Sequence, residues 1–217
     1  MRCIVTAGPT YESLDHVRRL TNFSTGRLGT ELANHLHDLG HEVILLRGES
    51  AVWSGECRAT TVKPFSSTRD LLQKLSDLAT SDRVALFHAS AVSDFRFGRI
   101  WQVAADGQQQ ELSGGKISSR HEQLLAELVP TPKLINRLRD WFPNGWLVGW
   151  KYEVDGGKEE ALEKAKRQLD DNQTDQCVVN GPAYGEGFGV MNRDSIVRHC
   201  DGLPELLALL SELPERN

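Results

Sequence analysis

No apolar run in this sequence approaches the roughly 20 residues that a membrane-spanning helix needs. Its start, MRCIVTAGPT, also lacks the apolar stretch of a secretory signal. Two glycosylation sequons, Asn22-Phe23-Ser24 and Asn172-Gln173-Thr174, carry no meaning without such a signal. Cysteine is scarce: Cys3, Cys57, Cys177 and Cys200 lie far apart with no CxxC spacing, which argues against a disulfide framework or a zinc site. Three of them fall in apolar runs that read as strands, where a thiol serves as a small hydrophobe. Surplus positive charge is missing too. With 25 Lys and Arg against 30 Asp and Glu, the net charge of -5 disfavours sequence-independent nucleic-acid binding. It leaves room for a small anion held by a few local cations. The expectation is a cytoplasmic globular protein with neither membrane nor nucleic acid as partner.

What is present is an alternation of short apolar runs and amphipathic stretches. RCIVT (2–6), EVILLRG (42–48), CRATTVK (57–63), RVALFHASAV (83–92), WLVGW (146–150) and DQCVVN (175–180) read as strands. Between them, GRLGTELANHLHDLG places Leu28, Leu32, Leu36 and Leu39 on one helical face and stops at Gly40. STRDLLQKLSDLAT starts a helix at Ser67 as N-cap, with Asp70 at its third position. GGKEEALEKAKRQLDD makes a charged helix with a solvated face. SIVRHC, then Asp201-Gly202, then LPELLALL reads as strand, tight turn and closing helix with Pro204 in its first turn. The pattern specifies an α/β fold: a Rossmann-like, mostly parallel sheet with helices on both faces. Residues 1–217 are expected to form a single domain with one excursion, about 96–130, built on a β-hairpin around Asp106-Gly107. A helix should follow it from near Pro132.

Four stretches carry chemistry. In TAGPTYESLDHVRRLTNFSTGRLG (6–29) a strand runs into Gly8, and a helix later opens behind Ser24, Thr25 and Gly26. A helix mouth of that kind attracts anions through free N–H groups and the helix dipole, although a plain capped helix would look similar. The dinucleotide pattern GxGxxG is absent. In HASAVSDFRFG (88–98), small residues and Asp94 sit where open parallel sheets bind ligands, beyond the carboxyl end of a strand. His88, inside the apolar run, reads as an interior histidine. SGGKISS (113–119) is not a P-loop: Gln110 replaces its first glycine and Ile117 stands where Ser or Thr should follow Lys116. Lys116 could still close over a phosphate as a point charge. VVNGPAYGEGFGVMNRDS (178–195) reads as a long glycine-rich loop after a strand end. His35, His37 and His41 are unsuitably placed for metal ligation.

Taken together these blocks resemble phosphopantothenoylcysteine synthetase, a ligase of coenzyme A biosynthesis that in bacteria is often fused behind a flavin-dependent decarboxylase. The likeness covers nearly the whole chain. Its most specific part is residues 6–29, close to the family's opening TAGPTxExxDxVRxxxNxSxG. ASAVSDFR, Lys116 after the hairpin, TPKLI, VGW with Glu153, CVVN and GFG follow in the family's order. The resemblance implies a two-step reaction. The carboxylate of 4'-phosphopantothenate attacks the α-phosphate of CTP (or ATP) and expels pyrophosphate, and the amine of L-cysteine then displaces the nucleoside monophosphate. It implies Asn22 and Lys116 as catalytic residues, and substrate contacts from Arg18, Asn22 and Asn180. The nucleotide would be held by Gly8, Ser24, Thr25, Gly26, Ser90, Ala91, Asp94, Gly149, Trp150 and Lys151. Magnesium would accompany the triphosphate, no flavin is expected, no protein residue is assigned as a metal ligand, and a homodimer is implied.

The sequence departs from the family at Gly149-Trp150-Lys151-Tyr152, where a small Ala-Ala pair often follows Gly-Phe. It departs again at Gln168 and Asn172, where lysines facing the triphosphate would be expected, with Lys166 and Arg167 nearby. Lys151 is one candidate to restore the missing positive charge. Two other readings stay open: a nucleotide-binding homologue without turnover, and an NAD(P)-dependent reductase, against which the absent GxGxxG argues.

Overall fold

The computed structural model describes residues 1–121 and 123–213. Glu122 of the excursion and residues 214–217 of the expected domain lie outside the described residues. In chain order the elements are β1 (Arg2–Ala7), β2 (Tyr11–Ser13), β3 (Arg19–Thr21), α1 (Arg27–Asp38), β4 (Glu42–Gly48) and β5 (Thr61–Phe65). Then come α2 (Thr68–Ser76), β6 (Val84–His88), β7 (Phe95–Val103), β8 (Gln109–Glu111), β9 (Gln123–Pro130) and α3 (Ile135–Trp141). The chain continues through β10 (Trp146–Tyr152), α4 (Lys158–Asn172), β11 (Gln176–Asn180), β12 (Phe188–Asn192), β13 (Val197–Cys200) and α5 (Leu203–Leu210).

Eight strands form the central sheet in the order β13-β12-β11-β10-β6-β1-β4-β5. From β11 to β5 every pairing is parallel, and β12 and β13 extend the sheet antiparallel. Central strands covered on both faces must be apolar throughout, and Cys3 to Ala7 of β1 are all buried. α1 and α5 cover one face, packing Leu32, Leu36 and Leu206 onto Cys3, Val5, Val148 and Val178. On the other face α2 and α3 bring Leu71, Leu75 and Leu138 against Ile4 and Leu86, while α4 brings Ala161, Ala165 and Leu169 against Cys177 and Val179. The expected mostly parallel sheet with helices on both faces is what forms.

Local signals set several boundaries. Ser67 caps α2 by accepting from Asp70 N at 3.2 Å. Gly40, at φ 83°, ends the α1 segment in the left-handed region that glycine tolerates. The hairpin at Asp106-Gly107 joins β7 to β8, and β9 adds to the other edge of β7. Other boundaries differ from the pattern reading. The strand expected over 57–63 forms only from Thr61, because Arg58 N bonds Asn34 Oδ1 of α1 and Thr60 Oγ1 takes Val43 N, diverting this segment from the ladder. α3 begins at Ile135, not at Pro132. The apparent loop 178–195 contains β12, since Val190 pairs with Val178 and Gly189 packs against Tyr184. Leu39 lies just past α1 and is 54% exposed.

The entry of α1 depends on a close approach to β1. A Cβ on Gly29 would lie 2.6 Å from Ala7 Cβ and 3.0 Å from Thr6 O, so only glycine lets the helix lie this low on the strand. Gly29→Ala is expected to destabilise the protein by about 1–3 kcal/mol through overpacking, read as a lowered urea midpoint with unchanged slope.

Candidate functional site

β1 ends at Ala7, and Gly8, at φ 83°, turns the chain out of the sheet. The chain returns as α1, whose N-cap position is Gly26 at φ 78° with no capping side chain. Thr25 Oγ1 accepts from Arg27 N at 3.2 Å. The mouth of α1 opens over the carboxyl ends of β1 and β6 into a cleft of about 360 Å³. Gly8, Ser24, Thr25 and Gly26 line it, together with Arg27, Leu28, Gly29, Ala89, Phe188 and Leu203. That volume lies within the range of small-molecule sites. Helix N–H groups and dipole give it a positive field. Arg27 adds a guanidinium, paired with Glu31 at 2.7 Å.

Residues 9–25 detour through the β2–β3 ribbon before reaching the helix. Tyr11 N bonds Ser66 O at 3.0 Å, Thr68 N bonds Glu12 Oε1 at 2.9 Å, and Thr21 Oγ1 donates to Thr10 O at 2.8 Å, so the ribbon is seated on the α2 entry. Asn22 follows β3, exposed, with Nδ2 donating to Val92 O at 3.1 Å. That bond ties its amide to the segment after β6, and Asn22 is not among the residues that line the cleft. In that segment Ala91 N donates to Gly8 O at 3.1 Å and Thr10 N donates to Ala91 O at 3.2 Å. Ser90 N donates to Thr6 Oγ1 at 3.1 Å. Asp94 forms an exposed ion pair with Lys133.

The tip of the β2–β3 ribbon holds the flap. Asp15, whose side chain has no exposed surface, accepts through Oδ1 from Val17 N at 2.9 Å and Arg18 N at 2.8 Å. Through Oδ2 it accepts from Arg18 Nε at 3.1 Å, Arg18 Nη2 at 2.5 Å and Ile117 N at 3.1 Å. Arg18 Nη2 also donates to Ile117 O at 2.7 Å, and His16 N donates to Gly115 O at 2.9 Å. The Arg18 guanidinium, aided by these backbone N–H groups, holds the Asp15 carboxyl well below the usual range. Ile117 is buried while Lys116 beside it is exposed. Arg18, expected to contact substrate, is thus engaged with Asp15 and the flap.

The strands beyond β6 divide the remaining candidates between two faces. Trp150 and Asn180 alternate in phase with Val148 and Val178, which places them on the α1/α5 face, where the cleft opens. Among the described residues, Trp150 Nε1, Asn180 Oδ1 and Ser90 Oγ are buried without a hydrogen-bond partner, a condition that a ligand can relieve. Gly149 and Lys151 face the other way. A Cβ on Gly149 would meet Gln168 Nε2 at 2.6 Å. Lys151 Nζ lies 3.2 Å from Glu153, which also takes Lys164 Nζ at 2.7 Å. Lys151 therefore does not line the cleft. Gln168 Nε2 lies 3.3 Å from Cys177 Sγ, and Lys166 donates to Ser195. Sequence reasoning missed Arg27 and Phe188, although both lie in quoted motifs, and Leu203, for which the sequence offers no signal. Among the described residues no group of three or more His, Cys, Asp and Glu is placed to hold a metal ion. No helix among them is long and apolar enough to cross a membrane.

An α/β protein with a ligand cleft at the carboxyl edge of its sheet is the class that this fold and site define. The chain belongs to the family of the DNA/pantothenate metabolism flavoprotein C-terminal domain, whose model matches residues 1–208. It is 33% identical over 179 residues to the coenzyme A biosynthesis bifunctional protein CoaBC of Thermococcus kodakarensis, covering 82% of this chain and 41% of that protein. The chain thus spans less than half the length of that relative. Its fold matches the crystal structure of the DNA/pantothenate metabolism flavoprotein from Streptococcus pneumoniae with a TM-score of 0.82 and 26% identity, covering 98% of this chain and 97% of that one. A Cab2 mutant in complex with phosphopantothenate-cysteine shares the fold at a TM-score of 0.71 and 19% identity, covering 97% and 84%.

His88 underlies the site. It is the last residue of β6, buried, with Nδ1 3.0 Å from Thr6 Oγ1, and burial pushes its pKa down to about 4. A histidine that is harder to protonate folded than unfolded leaves stability intact above its unfolded pKa near 6.5 and removes it as pH falls from there towards 4. Lowering pH from 7 to 5 should cost the wild type about 1–2 kcal/mol more than His88→Gln, measured by urea unfolding at both pH values.

Proposed function

We propose that the protein joins 4'-phosphopantothenate to L-cysteine at the expense of a nucleoside triphosphate, CTP or ATP. The observation that carries this reading is the mouth of α1, with glycine at its N-cap position, opening into the cleft at the carboxyl edge of the sheet, within a chain of this family. The name of the CoaBC relative and the ligand of the Cab2 structure agree with it. In the first step a carboxylate oxygen bonds to the α-phosphorus and pyrophosphate leaves. In the second, the cysteine amine bonds to the acyl carbon, its proton is lost, and the nucleoside monophosphate departs with the bonding pair. The amine brings its own lone pair and the nucleotide supplies the leaving group, so no protein nucleophile is required. Positioning and charge stabilisation are the enzyme's work.

In this scheme the helix mouth at Ser24, Thr25 and Gly26, with Gly8 beneath, holds an anionic part of the ligands. Asn22 donates its amide to the oxyanion that develops at the acyl carbon. Lys116 supplies an exposed positive charge from the flap, and Trp150, Asn180 and Ser90 offer their unpartnered polar atoms to the bound molecules. Magnesium belongs with the phosphates of the nucleotide. Phe95 and Leu128, exposed at 46% and 51% on one face of the β7–β9 ladder, suit contact with a second copy of the chain.

The direct test is to incubate the protein with 4'-phosphopantothenate, L-cysteine, magnesium and either CTP or ATP. Cysteine-dependent release of nucleoside monophosphate is the expected result. Pyrophosphate without amide would instead identify a homologue stalled after the first step. Asn22→Ala should lower amide formation about 100- to 1,000-fold, the loss typical of one oxyanion donor, with pyrophosphate release less affected. Equal losses in both steps would remove Asn22 from its assigned role.

A further inference from the structure

A lysine on a glycine-flanked flap contributes little unless its backbone is held, because each degree of freedom left to it dilutes the productive geometry. Ser113, Gly114 and Gly115 precede Lys116, and Ser118 and Ser119 follow it. A Cβ at Gly114 would meet no atom of the described residues within 4 Å. Within this segment the contacts that fix the chain come from the tip of the β2–β3 ribbon, about a hundred residues earlier. We propose that Asp15 is a positioning residue for Lys116: its carboxylate, with Arg18, latches the flap backbone so that the lysine is presented to the anionic substrate. This inference rests on the role assigned to Lys116 above.

The two carboxylate oxygens divide the task. Oδ1 closes the local turn on Val17 N and Arg18 N. Oδ2 takes the Arg18 fork and Ile117 N, and Arg18 returns a bond to Ile117 O, so both backbone polar groups of the residue after Lys116 are held. On the other side of Lys116, Gly115 O accepts from His16 N, and a Cβ on Gly115 would sit 2.7 Å from the His16 ring. Lys116 is therefore bracketed by two anchored residues. Ile117 turns inward and the lysine side chain stays exposed, with no ion pair to any described residue. A carboxylate shared between a guanidinium and a flap N–H is a charge-assisted contact. Such a contact is too specific in its geometry to be replaced by a neutral amide.

Asp15→Asn tests the latch selectively. The amide oxygen can keep the local turn, but an NH₂ group then faces Arg18 and the Ile117 N–H, donor against donor. The experiment compares wild type, Asp15→Asn, Lys116→Ala and the double variant, reading kcat/KM for nucleotide-dependent pyrophosphate release and the rate of tryptic cleavage in the flap. Asp15→Asn and Lys116→Ala should each lower kcat/KM about 10- to 100-fold. The double variant should fall within twofold of Lys116→Ala, since the latch has no purpose once the lysine is gone. Cleavage after Lys116 and Arg120 should accelerate in Asp15→Asn. If Lys116→Ala is impaired but Asp15→Asn is not, or if the two losses multiply, the latch is overturned while Lys116 keeps its role. If Lys116→Ala is fully active, the assignment of Lys116 fails first and the latch with it. Should Asp15→Asn lose its cooperative melting transition, Ile117→Pro replaces it in the same cycle, with flap opening read by cleavage after Arg120 alone because trypsin does not cut before proline. That change deletes the flap N–H and leaves the Asp15–Arg18 pair intact.

Discussion

The low seat of α1 on β1 is the constraint on which the rest of the structure depends. Gly29 lets the helix backbone approach Ala7 and Thr6 O to a distance that no side chain would permit. Gly26 lies in the same way over Gly8 and Ala51. Because the helix lies so close to the strand, its first turn ends over the carboxyl edge of the sheet and not beyond it. The N–H groups that a helix leaves unpaired at its start then face a cleft walled by strand ends. A capping side chain at position 26 would consume one of those donors, and the left-handed backbone there excludes most residues that could supply one. The same geometry that packs the core therefore creates the positive field.

Around that fixed point the protein combines rigid and adjustable parts. The β2–β3 ribbon is tied to the α2 entry through Glu12 and Tyr11, and to the segment after β6 through Thr10 and Asn22. Its tip reaches the flap through the buried Asp15. One short ribbon and its flanking residues thus touch both the segment after β6 and the flap that the proposed chemistry uses, which gives a physical reason for the long detour between β1 and α1. On the opposite face the ionic cluster of Glu153 with Lys151 and Lys164 stands apart from the cleft. A cation counted from the sequence is not a cation in the site, because strand alternation assigns it to a face before chemistry can use it.

Most of the sheet was legible from apolar periodicity, because strands buried on both faces leave continuous apolar runs, as in β1, β4 and β6. Ser67 and Gly40 announced helix ends for local reasons that need no tertiary knowledge. The errors fall where long-range contacts override local pattern. Residues 57–60 look like strand, yet Asn34 and Val43 draw their polar groups away from the ladder. Residues 188–192 look like the end of a loop because Gly181, Gly185 and Gly187 precede them, yet β11 and Tyr184 complete a strand there.

For the site, the sequence alone determined the motif 6–29, the helix mouth with its glycines and hydroxyls, and the presence of a lysine on a glycine-flanked segment after the hairpin. These are properties of residue type and short spacing. Only the tertiary structure decided that Phe188 and Leu203 wall the cleft, that Lys151 faces away from it, and that Asp15 and Arg18 grip a segment a hundred residues later. The reason is common to all three: side-chain direction on a strand and contact between distant loops depend on register and packing, which no local window of sequence contains.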